Sequence, residues 1–150
     1  MRIIKTFTPV RVESDRFSAT VDYYEQTLGL RCDLHFRFEE GNLDIATIGP
    51  LVLIGGPADA LAAAPKQDIV ISVDSLEEFQ ANLRAQGATI VSPPADIPTG
   101  RNMMVHNPDG TLFEYVQWSD EKLAAVDLSR RSHSAVEQQF RANSSAVVHL

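Results

Sequence analysis

DIVISVDSLEEFQANLRAQGATIV, residues 68–91, changes its hydrophobic period twice. The run DIVISV (68–73) is short, apolar and bounded by polar residues, which predicts a strand. Ser75 and Glu78 then form a capping box, and Leu76, Phe79 and Leu83 recur at the spacing of one helix face. Gly87 supplies the stop, and ATIV (88–91) starts another strand. Working toward the amino terminus, the same pattern recurs. FTPVRV (7–12) precedes FSATVDYYEQTLGL (17–30), where Phe17, Val21, Tyr24 and Leu28 share a helix face and Gly29 stops the helix 58 residues before Gly87.

Each helix leads into further strands. In RCDLHFRF the alternation puts Cys32, Leu34, Phe36 and Phe38 on one face, with Asp33, His35 and Arg37 on the other. LDIATI (43–48) and LVLI (51–54) come next, parted by the Gly49-Pro50 turn. The second half continues with RNMMVH (101–106) and TLFEYVQW (111–118), joined by the tight turn Asn107-Pro108-Asp109-Gly110. Each half therefore reads β-α-β-β-β, with module one at about 5–55, a linker over 55–67 and module two at 68–118. The expected fold class is α+β. Each helix covers one face of its sheet, and the open faces line a shared groove, where a small ligand is expected.

Composition narrows the function. The chain has 150 residues, 44% hydrophobic and 22% charged, which fits one soluble domain. A formal charge of −7 disfavours a broad nucleic-acid surface, which needs a basic face. The absence of a long apolar run argues against a membrane span, and the lone Cys32 points to a reducing compartment, the cytoplasm. All eight Gly and all eight Pro precede residue 119, so a C-terminal tail is expected over 119–150. Ser119 would cap a short helix carrying Leu123 and Val126. Ser134 and Glu137 would cap another carrying Val136 and Phe140, unless the terminus is frayed.

The stretches YYEQTLGL (23–30), 68–91 and NPDGTLFEYVQW (107–118) resemble the vicinal oxygen chelate superfamily, the glyoxalase, bleomycin-resistance and extradiol-dioxygenase family. The resemblance spans about residues 5–118 and is most specific in the last stretch, where Glu114 comes four residues after Gly110. It implies two βαβββ modules curling into a cup-shaped mixed sheet, a homodimer and, in many members, a divalent metal held by the first and last strands of each module. Transferred to this chain, those positions are Asp68, where a His is usual, and Glu114. In module one the windows Thr8–Val12 and Ile54–Ala58 contain no side-chain ligand. Two carboxylates fall short of the three or four protein ligands a transition metal normally takes, so no cofactor is expected and a divalent metal is disfavoured.

Without a cation, Asp68 and Glu114 would be like charges on adjacent strands. Either they diverge, or a cation such as Arg11 sits between them, or one pKa rises. Parity places Leu112, Glu114, Val116 and Trp118 on one face of their strand. Trp118 with Met103 or Met104 would then form a wall suited to a flat apolar ligand. His35, His106, His133 and His149 share no ligand spacing, and IPTGRN (97–102) is expected to form a mobile rim. The leading expectation is a protein that binds a small organic molecule, without nucleic-acid or membrane partners, through Arg11, Met103, Met104 and Trp118 together with Asp68 and Glu114. The alternative is an enzyme: a metal-dependent lyase or dioxygenase, or a metal-free isomerase or hydrolase using Asp68 or Glu114 as its catalytic base.

Overall fold

The computed structural model describes residues 1–126. Eight strands, β1 (Ile3–Glu13), β2 (Cys32–Phe38), β3 (Leu43–Ile48), β4 (Leu51–Gly56), β5 (Ile69–Val73), β6 (Thr89–Ile97), β7 (Gly100–His106) and β8 (Leu112–Trp118), form one sheet. Its order is β2-β3-β4-β1-β5-β8-β7-β6. The order reads the same from both ends once β1 is matched with β5 and β4 with β8. β1 pairs antiparallel with β5 at the centre, and each central strand pairs in parallel with the last strand of its own half. This is the α+β arrangement of two βαβββ halves that the repeat predicts, in the cup that the family resemblance implies.

Helices α1 (Phe17–Leu28) and α3 (Leu76–Ala85) cover the convex face, and α2 (Ala58–Ala63) lies between the halves. α1 ends on Gly29 with φ +64°, a left-handed conformation that glycine adopts without a Cβ penalty. Ser75 Oγ accepts from the Glu78 amide at 3.3 Å, which is half of the expected capping box. The other half is absent, because the Glu78 carboxylate pairs with the Met1 ammonium at 2.7 Å. Under α3, Val73, Leu76, Met103 and Val105 form one core, and under α1, Phe17, Ala46, Ile48 and Leu53 form a second.

Three expectations change. The 55–67 stretch is not all connection: Gly55 and Gly56 belong to β4, and α2 occupies its middle. Glycine is required at 55 because a Cβ there would meet the Phe17 ring at 2.2 Å, the ring that seats α1 on the sheet. In β2, Cys32 pairs with Ile48 while Leu34 pairs with Thr47, so Asp33 is an extra residue. This bulge turns Cys32 to the helix side, and only Leu34, Phe36 and Phe38 stay on the concave face. The 97–100 turn is not a mobile rim. Thr99 is 2% exposed, its carbonyl accepts from the Ser119 amide at 2.8 Å, and a Cβ on Gly100 would lie 2.1 Å from the Gln117 carbonyl oxygen.

A helix starts after Ser119, whose Oγ accepts from the Lys122 amide at 3.3 Å. Leu123 and Val126 pack on the concave side against Phe7 and Trp118, closing one end of the cup. The helix expected around Ser134 and Glu137 lies outside the described residues, as do His133 and His149. Among the described residues no helix is long and apolar enough to cross a membrane.

Candidate functional site in the cup

Strand parity decides what faces the concave side. In β7, Asn102, Met104 and His106 face it, and in β8 Leu112, Glu114, Val116 and Trp118 do. The space they enclose with β1–β4 is a cavity of about 380 Å³, within the range of small-molecule sites. Its walls are chiefly aliphatic and aromatic. Phe7 and Trp118 meet at 5.9 Å between centroids, tilted by 60°, and close the floor against Val126.

Glu114 is the one carboxyl that lines the cavity among the described residues, and no Lys or Arg lines it with it. Burial pushes its pKa up from 4.5 to about 7, only partly opposed by the Asn102 Nδ2–H, which donates to its Oε1 at 3.2 Å. Desolvation penalises the carboxylate and no cation compensates it. Near neutral pH, Glu114 therefore exchanges between an acid that donates and a carboxylate that accepts.

Of the residues singled out in the sequence, Glu114, Met104 and Trp118 lie together in the cavity wall. Met103 does not. It is fully buried on the opposite face, opposite Tyr115 in the α3 core, because consecutive strand residues point to opposite sides. Asp68 is also elsewhere: it is exposed, its Oδ2 accepts from the Leu112 amide at 2.9 Å, and its own amide donates to the Leu112 carbonyl at 2.8 Å. It fastens the entry of β5 to β8. Of the three outcomes open for the two carboxylates, they diverge, and Glu114 is raised by desolvation rather than by a like charge.

Arg11 bridges neither carboxylate. It stands on the concave face of β1 opposite Ile54, but the chain after α2 lies over it. Its Nη2 donates to the Pro65 carbonyl and to Gln67 Oε1, both at 3.0 Å. Pattern reading missed two polar residues of the site, Asn102 beside Glu114 and, before β5, Gln67. Gln67 is 7% exposed and lines the cavity, because the chain leaves the strand alternation just before Ile69, so that Gln67 and not Asp68 turns inward. No periodic signal marks such a position. His106 lines the mouth, while His35 is outside with its ring 5.5 Å from that of Phe17.

The donor set does not suit a divalent metal. Among the described residues no group of three His, Cys, Asp or Glu converges. Module one faces the cavity with apolar side chains and Thr47, whose Oγ1 already accepts from the Leu34 amide at 3.1 Å.

The Glyoxalase/Bleomycin resistance protein/Dioxygenase superfamily profile matches residues 9–115, and the chain belongs to this family. An uncharacterised protein from Methanosarcina mazei is 31% identical, with a TM-score of 0.70 over 79% of this chain and 95% of that one. Methylmalonyl-CoA epimerase from Mycobacterium tuberculosis shares the fold at 16% identity, with a TM-score of 0.60 over 83% of this chain and 97% of that one. The Streptomyces coelicolor epimerase, solved with 2-nitronate-propionyl-CoA, does so at 18% identity, with a TM-score of 0.58 over 77% and 98%. Comparison with curated proteins gives no significant match.

Proposed function

We propose that this protein binds a small, mainly apolar organic molecule in the cup and needs no resident divalent metal to do so. The observation that carries the reading is a cavity of about 380 Å³ with largely hydrophobic walls and, among the described residues, one partly buried carboxyl, Glu114, held by Asn102. Apolar walls supply affinity through desolvation, and a few placed polar groups fix orientation. Trp118 and Met104 form the floor and side against which a ring would lie, and Glu114 meets the ligand's polar group. The family resemblance supports a homodimer of such cups. The single cysteine supports a reducing, cytoplasmic setting.

The test is a thermal-shift screen of small aromatic and aliphatic compounds with and without chelator, combined with product analysis of every stabilising compound. Stabilisation that survives the chelator, without conversion of the compound, is the expected result. Affinity that vanishes on chelation and returns with a divalent ion refutes it.

A second reading is favoured by one observation, the Glu114 pKa of about 7. A carboxyl poised there suits general acid-base catalysis at neutral pH, in which Glu114 takes a proton from a carbon acid and returns it. Fold neighbours that are epimerases support this reading only at the level of architecture. Incubation of bound compounds in deuterium oxide decides it: label gained at carbon by the native protein and lost in Glu114→Gln marks an enzyme.

A further inference from the structure

The side-chain amide of Gln67 has two ends, and its neighbour fixes which end faces which way. Arg11 carries only donors, so the Gln67 atom 3.0 Å from its Nη2 is the oxygen. The Nε2–H₂ group is left over. Among the described residues nothing accepts from it, and it is not sealed off as Arg11 Nε and Ser72 Oγ are. Gln67 is itself 93% buried and belongs to the cavity wall, so the space open to that nitrogen is the cavity. The amide cannot turn over without bringing its NH₂ against a guanidinium, and Arg11 is held in turn by the Pro65 carbonyl at 3.0 Å.

We infer that Gln67 is a specificity-determining residue, oriented by Arg11 to donate from Nε2, and that it selects ligands bearing a neutral hydrogen-bond-accepting oxygen, such as a ketone, ester or amide carbonyl. This rests on the reading of the cup as a ligand site and adds the chemistry of the ligand to it. The Glu114–Asn102 pair belongs to β8 and β7, whereas Gln67 enters from the chain before β5. Gln67 and the Glu114–Asn102 pair are therefore separate polar points on a mainly apolar lining that also includes Thr47, Ser92, Thr99 and His106. A site built to donate a hydrogen bond rejects an analogue lacking the acceptor far more strongly than an apolar wall separates two hydrocarbons. Arg11 is a positioning residue: it touches Gln67 and does not line the cavity.

The probes are 2-acetylnaphthalene and its oxygen-free counterpart 2-isopropenylnaphthalene, titrated against the full chain. The native protein should bind the ketone about tenfold or more tightly than the hydrocarbon. Gln67→Glu keeps the shape and the Arg11 contact but presents only acceptors, so the preference should vanish while thermal stability is retained. Arg11→Met, which frees the amide to rotate, should shrink the preference several-fold, and it decides the matter if Gln67→Glu does not fold. Equal binding of the two probes by the native protein, or an unchanged preference in the variants, overturns the role of Gln67 and leaves the cup as a binding site. If neither probe binds, the binding-site reading itself fails and this inference with it.

Discussion

Glu114 shows what one side chain's surroundings do to its chemistry. Among the described residues its carboxyl has a single hydrogen-bond donor, Asn102 Nδ2, and desolvation favours the protonated form in the folded chain. Between the unfolded value near 4.5 and the folded value of about 7 the native state binds more protons, and stability falls as pH rises through that window. The full penalty, about 3 kcal/mol, is present above pH 7 and absent below 4.5. Glu114→Gln should therefore gain stability relative to the native chain as pH rises from 4.5 to 8, measured by denaturant melts at several pH values. A constant difference across that range would show that Glu114 ionises freely. Trp118→Ala removes the ring packed on Phe7 and should cost about 3–5 kcal/mol, read in the same melts, and weaken any ligand that stabilises the native chain. Glu114 and Trp118 are legible in the sequence because parity holds along β8. Met103 is one step out on the same logic. The inward turn of Gln67 is not legible, since it depends on where β5 leaves alternation, which tertiary pairing of Asp68 with Leu112 decides.

The elements repeat the lesson with backbone rather than charge. Helices α1 and α3, the Asn107–Gly110 turn and all eight strands are visible in period and punctuation, because each is specified locally. Gly110 φ is +89°, and the Asp109 carboxylate accepts from the Thr111 amide at 2.9 Å, as the turn chemistry requires. The extra residue Asp33 is invisible, since a bulge is a property of two strands and the alternation of one strand does not record it. In the same way Gly55 reads as a loop residue, whereas it sits in β4 beneath Phe17. Gly55→Ala should cost about 1–3 kcal/mol by displacing that ring and loosening α1. Urea denaturation measures the loss. The amide-exchange protection of α1 should fall more than that of α3, and equal loss in both helices would contradict this packing.

At the scale of the molecule, the floor of the cup depends on the helix that begins after Ser119, beyond the second module. Val126 is 1% exposed and packs with Phe7 and Trp118, so that helix belongs to the concave core. Val126→Ser should lower stability by about 2 kcal/mol and weaken ligand binding, whereas an equivalent change at exposed Glu121 should do neither. Calorimetry and titration of both variants test this together. The sheet itself is a near-palindrome of strands, yet its halves face the cavity with different chemistry: β2, β3 and β4 offer Phe36, Ile45 and Ile54, while β7 and β8 bring Asn102, His106 and Glu114. The first half thus lines the cup mainly with apolar surface, and the second adds its carboxyl and imidazole. If the cup takes the ligand proposed above, recasting Phe36 or Ile45 changes which outlines fit while leaving Asn102, His106 and Glu114 in place, so shape and polar contact can be altered one without the other.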